Sequence, residues 1–114
     1  ILRFPGGGSN TVSRNYSPGI MPYLTQEVQN RGFHYFDWNV SSGDTAKIGA
    51  GGVYNSVVAG LDGKPVLVVL MHDRSGNEQT RDALRSIIQY GKSNGYAFDR
   101  IRMSTPQIHH SVAN

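Results

Sequence analysis

No cysteine occurs among the 114 residues, so the chain has neither a disulfide framework nor a cysteine-based metal knuckle. That absence suits an exported protein and a cytosolic one equally and decides nothing about compartment. Long apolar runs are missing too. The longest, Pro65 to Met71, is far short of the roughly 20 residues that span a bilayer, so no transmembrane segment is expected. Like charges never gather in a block of five: 11 Lys and Arg against 8 Asp and Glu give a net charge of +3 spread along the chain. A nucleic-acid partner is therefore not implied, although a mild positive surface suits an anionic polymer such as a bacterial wall. Internal repeats and low-complexity tracts are also absent. What remains, 38% hydrophobic and 17% charged, is the composition of one rather polar globular unit spanning residues 1–114.

Several signatures of chemistry are lacking as well. Gly6-Gly7-Gly8-Ser9 has no Gly-Lys-Ser/Thr ending to place a cation on a phosphate. There is no Gly-x-Ser-x-Gly elbow, and no Ser lies in a recognisable nucleophile turn, which disfavours a metal-independent esterase. His109-His110 are adjacent, and neighbours on an extended chain point opposite ways, so the pair reads as a surface tail and not a metal site. The chain opens at Ile1 within what reads as a strand, and it has no basic start followed by the apolar stretch of a secretory signal. The expectation is an N-terminally incomplete chain, with any export signal upstream or removed.

The pattern of what is present predicts alternating elements. Ile1 to Phe4 reads as a strand, followed by a Gly-, Ser- and Asn-rich loop from Gly6 to Gly19. Met21, Leu24 and Val28 share a helical face over 21–30, with Gly32 as the stop. Phe33 to Val40 alternates as a strand, ended by Ser41-Ser42-Gly43-Asp44. Val53, Val57, Val58 and Leu61 predict a short helix, and Asp62-Gly63 a turn. Val66 to Met71 is a continuous aliphatic run typical of a parallel strand covered on both faces. Asn77 to Asn94 is the strongest helix, with Gly95 as its C′ residue, and Tyr96 to Met103 alternates as a last strand. The fold class is thus α/β, with about four parallel strands alternating with three helices through right-handed crossovers.

In such folds the reacting groups gather at the carboxyl ends of the strands, and three polar clusters fall there: Arg3-Phe4-Pro5-Gly6, Asp37-Trp38 through Asp44, and His72-Asp73. Imidazole as a class suits proton transfer near neutral pH. A carboxylate beside His72, Asp44 or Asp73, would favour the imidazolium and hold it ready as a general acid. Arg3 has a fork that pairs well with a buried carboxylate, with Asp37, Asp44, Asp73 or an upstream residue as its partner. Trp38 is either core or the lining of a sugar groove, and Tyr16, Tyr23 and Tyr54 are placed to stack on a saccharide. Asp37 stays open between a catalytic and a structural role.

Taken in series, Arg3-Phe4-Pro5-Gly6-Gly7, Asp37-Trp38-Asn39-Val40-Ser41-Ser42-Gly43-Asp44, Val69-Leu70-Met71-His72-Asp73 and the helix end Gly91 to Phe98 resemble, in order and spacing, the later half of the polysaccharide deacetylases of carbohydrate esterase family four. In look they are closest to the bacterial members acting on peptidoglycan N-acetylglucosamine. The resemblance implies the C-terminal half of a distorted (β/α) barrel. It also implies a divalent metal, often zinc, in the parent enzyme, and N-acetyl hydrolysis on peptidoglycan or chitin-like polysaccharide outside the cell or at its wall.

Position by position, the resemblance makes Arg3 the residue that orients the catalytic-base aspartate, Asp44 the residue that tunes the acid, and His72 the acid that protonates the leaving amine. Leu70 becomes a wall of the acetyl-methyl pocket, with Trp38, Pro5 and Tyr16 facing the saccharide. Thr45 departs from the Trp common at that position, so one groove wall differs. The family's earlier half, with its Thr-Phe-Asp-Asp-Gly motif and histidine pair, has no counterpart here. This chain alone is therefore expected to bind no metal and to be inactive, and a half barrel is expected to associate with a second copy or with the missing half. The alternative is a non-catalytic saccharide-binding or structural piece.

Overall fold

A computed structural model describes all 114 residues, and the chain divides into two compact units: Ile1–Trp38 with Ile101–Asn114, and Asn39–Arg100. The first holds a short 3₁₀ turn, Val12–Asn15, and helix α1, Ile20–Asn30. α1 forms where the three-four spacing of Met21, Leu24 and Val28 makes an apolar stripe, and that stripe packs with Leu2, Phe4, Ile20 and Tyr35 into a small core. Phe4 meets Tyr35 edge-on, with ring centroids 5.2 Å apart. Gly32 ends the helix as expected: its left-handed φ of 83° lets the Phe33 N–H return to Val28 O at 2.9 Å, a geometry a Cβ would disfavour.

The second unit carries β1 (Val40–Ser41), α2 (Gly49–Leu61), β2 (Val69–Leu70) and α3 (Glu78–Ser93). β1 and β2 pair in parallel, Val40 opposite Val69 and Ser41 opposite Leu70. Asn39 extends the pairing with its side chain, donating from Nδ2 to Val66 O and accepting at Oδ1 from the Val68 N–H, each at 2.8 Å. The core between strands and helices is Val40, Val53, Val57, Leu61, Ala83 and Ile87, with Leu67, Val69 and Met71 packed onto it from alternate positions of the β2 segment. Side chains alternate along a strand, so Leu70 lies on the other face, half-buried. α3 closes with Gly95 at φ 82° and the Tyr96 N–H on Gly91 O at 2.9 Å, the C′ arrangement expected from its sequence.

The three helices stand where the periodicity placed them, α2 beginning four residues before Val53. The strands are fewer and shorter than expected. Leu2 and Tyr35 meet only in a single parallel bridge, and the 66–71 run is half-buried, not enclosed on both faces. Tyr96 to Met103 is not a strand at all. Its N–H groups take local partners, Arg100 on the Asp99 carboxylate and Arg102 on the Thr105 hydroxyl, while Phe98 rests against Gly91 and Ile101 and Met103 are exposed. No helix is long and apolar enough to cross a membrane.

Two glycines of α2 should respond in opposite directions to alanine. At Gly51 a Cβ meets open space, so Gly51→Ala should raise stability by up to about 1 kcal/mol through helix propensity. At Gly60 it would stand 2.7 Å from Cγ1 of Val40, a short side chain only 2% exposed. Gly60→Ala should cost about 1–2 kcal/mol net, as overpacking of up to ~3 outweighs the ~1 regained in propensity. Equilibrium denaturation measures both, and stabilisation at Gly60 would contradict the packing described.

Candidate active site

The chemistry of the second unit centres on Asp44, which leaves the end of β1 through Ser42-Gly43 and is 2% exposed. A carboxylate so placed must be satisfied by donors, because a buried unpaired charge is costly. Four donors reach it. The His72 ring Nδ1 donates to Oδ1 at 2.8 Å; Oδ2 accepts from the His72 backbone N–H at 2.7 Å, Thr80 Oγ1 at 2.8 Å and Asn77 Nδ2 at 3.1 Å. Burial alone would raise the Asp44 pKa. The hydrogen bonds from His72, first its ring and then its N–H, and from Thr80 outweigh that and hold the carboxyl well below the usual carboxylate range, with the Ser42 hydroxyl adding a weaker pull from outside hydrogen-bond geometry.

An ionised carboxylate only accepts, so the His72 Nδ1 carries a proton. Nε2 is thereby the reactive nitrogen, on a side chain 35% exposed. Asp73, the other carboxylate considered beside His72, is exposed and has no such bond. Asn77, the residue before α3, donates also to His72 O at 2.8 Å, and Gln79 Nε2 reaches Asp44 O at 3.0 Å and Ala46 O at 2.8 Å. Gln79 Oε1 in turn accepts from Ile48 and Gly49 at 3.2 and 2.8 Å, capping the start of α2. Asn77, Gln79 and Thr80 went unnoticed in the sequence because an Asn ahead of a polar first turn is what any helix start looks like.

The remaining candidates belong to the first unit. Arg3 and Pro5 are exposed, Arg3 free of hydrogen bonds and ion pairs, and Tyr16 is 85% exposed. Trp38 is half-buried, its ring meeting His110 edge-on at 4.5 Å. Leu70 stays with the second unit on β2. Asp37 is 1% exposed and accepts from the Gly8 N–H at 2.7 Å and the His110 N–H at 2.8 Å. His109-His110 are not a free surface tail. His109 stacks on Tyr35 at 3.7 Å and bonds its carbonyl at 3.0 Å, while His110 Nε2 donates to Trp38 O at 2.6 Å and Nδ1 meets Ser9 Oγ at 2.9 Å. Tyr35, buried beneath them, has its hydroxyl pKa raised, by burial first and then by the Asp37 charge.

No family model and no curated protein matches the chain. Among solved structures, it is similar to the catalytic domain of peptidoglycan N-acetylglucosamine deacetylase from Eubacterium rectale ATCC 33656, with 46% identity over 99% of this chain and 52% of that one and a TM-score of 0.91. The chain belongs to carbohydrate esterase family four. A CE4 esterase of Streptococcus mutans is a second, more distant likeness: 27% identity, 85% of this chain, 42% of that one, TM-score 0.66. This family-four chain therefore spans about half the length of the solved structures it matches. The resemblance carried by the Arg3, Asp44 and His72 motifs is borne out at the level of the family.

A pH prediction follows from Asp44. Its folded pKa lies below that of an unfolded Asp, about 3.9, so its stabilisation is fully present above that value and is lost as pH falls through the folded one. Stability in urea should therefore drop on the acid side, starting near pH ~4. Asp44→Asn should flatten that slope and, by misfitting at least one donor, cost about 1–3 kcal/mol near neutrality. An acid-side slope unchanged by the substitution would contradict the assignment.

Proposed function

We propose that the chain is the later part of a metal-dependent polysaccharide N-deacetylase that hydrolyses N-acetyl groups of peptidoglycan or chitin-like sugars at the bacterial wall. The observation that carries this reading is the His72–Asp44 pair. Amide hydrolysis expels a poor leaving group unless its nitrogen is protonated. A ring held by its Nδ1 on a fixed anion presents Nε2, which in the imidazolium has a proton to give. Arg3 would orient a base aspartate supplied from outside this chain, an assignment consistent with an exposed guanidinium that has no partner here. Leu70 would line the acetyl-methyl pocket, with Trp38, Pro5 and Tyr16 facing the saccharide.

The metal belongs elsewhere in the parent. No three His, Asp or Glu side chains of this chain converge to hold an ion, so the residues present do not fit a metal site, and no step is assigned through one. In the parent, zinc or another divalent ion would rest on residues outside these 114. By itself the chain would then be inactive, functioning only when joined to the rest of the domain or associated with it.

His72→Asn in the intact deacetylase tests the reading. It should lower kcat for acetate release by about 10²–10⁴-fold with little change in KM. The loss should shrink on an activated substrate whose leaving group needs no proton. Near-normal turnover on the polysaccharide would remove His72 from the acid role.

A further inference from the structure

Asp37 does something the acid pair does not account for. Its carboxylate is as buried as that of Asp44, yet no Lys or Arg pairs with it, and its two oxygens are spent on two backbone N–H groups: Gly8 on Oδ1 at 2.7 Å and His110 on Oδ2 at 2.8 Å. The loop it holds is shaped to come that close. A Cβ at Gly8 would stand 2.9 Å from Asp37 Oδ2, and one at Gly7 would stand 3.0 Å from both Asp37 Oδ1 and the Trp38 ring. Upstream, Pro5 and Gly6 form the corner of a turn closed by the Gly7 N–H on Phe4 O at 2.8 Å, with Gly6 at φ 71°. Asn10 braces it, donating from Nδ2 to Pro5 O at 2.8 Å.

At its other end this stretch is tied to the same segment. The Leu2 N–H donates to His34 O at 2.9 Å, and Leu2 O accepts from the Phe36 N–H at 3.0 Å. Arg3 thus sits between two anchors, Leu2 on 34–36 and Gly8 on Asp37. The C-terminal segment completes the second anchor. Ile108 O accepts from the Asp37 N–H at 2.7 Å, and the His110 ring ties Trp38 O to Ser9. A carbonyl only accepts, so His110 Nε2 carries the proton and, in the neutral ring, Nδ1 takes that of the Ser9 hydroxyl.

We propose that Asp37 is a positioning residue: its carboxylate clamps the Gly8 and His110 backbones together, so that the segment 108–110 locks the 3–8 loop in the conformation that presents Arg3 and Pro5. The catalytic part of this inference rests on the proposed role of Arg3. A carboxylate is required because both donors are N–H groups. Asparagine offers one acceptor oxygen and turns an NH₂ against the other donor, and alanine offers none.

The experiment has two readouts. In ¹⁵N-labelled chain, Asp37→Asn should speed amide exchange at Gly8 and His110 and shift the resonances of residues 3–8, and Asp37→Ala should do so further. In the intact deacetylase the same variants should lower kcat by up to about 100-fold, the loss expected of a misplaced group near the reaction, in the order alanine worse than asparagine. KM should change less. Gly8→Ala, which crowds the carboxylate, should reproduce the asparagine phenotype and add little to it in the double variant, and it serves as the test if Asp37 variants do not fold. Unmoved loop resonances with fast-exchanging amides at Gly8 and His110 in the unaltered chain would overturn the clamp. A released loop with unchanged turnover would overturn the positioning role while leaving the function carried by His72 standing.

Discussion

The arrangement of the second unit depends on one constraint: the Asp44 carboxylate is buried and must find its donors inside the protein. It finds them on pieces of chain far apart in sequence, the turn after β2 through His72 and the start of α3 through Asn77 and Thr80. Gln79 extends the same network to the start of α2. Two helix starts and a strand exit are therefore registered against a single anion. The geometry also decides a chemical question, since a ring whose Nδ1 is committed to a carboxylate has only Nε2 left to react. Stability and the proposed acid role are linked because they use the same hydrogen bonds.

Asp37 and Asp44 make an instructive pair. They lie seven positions apart, both almost fully buried and neither matched to a Lys or Arg. Asp44 is surrounded by side-chain donors and a titratable ring, so it bears on where a proton resides. Asp37 is surrounded by backbone amides, so it bears only on where the chain runs. Two buried carboxylates thus hold a titratable ring in one unit and a backbone loop in the other, and the partner atoms make the difference.

Much of this was legible in the sequence, and the rest was hidden for physical reasons. Helices α1 and α3 write their packing into the spacing of Met21, Leu24, Val28 and of Ala83, Ile87, and Gly32 and Gly95 mark their ends because few other residues accept a left-handed φ. The 96–103 stretch misled because alternation reports a two-sided segment and not whether a strand edge is there to receive it; Asp99 and Thr105 claimed its N–H groups instead. His109-His110 read as a surface tail. What periodicity does not reveal is that each side holds a partner, Tyr35 for one and Trp38 with Ser9 for the other. For His72, strand-end placement left Asp44 and Asp73 both open, and only the family resemblance singled out Asp44, 28 residues away, since no local spacing encodes the pairing.

The central claim is that Asp44 holds the His72 ring by Nδ1 and leaves Nε2 free. Two-bond ¹H–¹⁵N correlation spectra of the imidazole, recorded with the ring neutral, test it directly. The account predicts the Nδ1-protonated tautomer for His72, against the Nε2-protonated form that free histidine prefers. An Nε2-protonated ring, or one exchanging freely between tautomers, would contradict it.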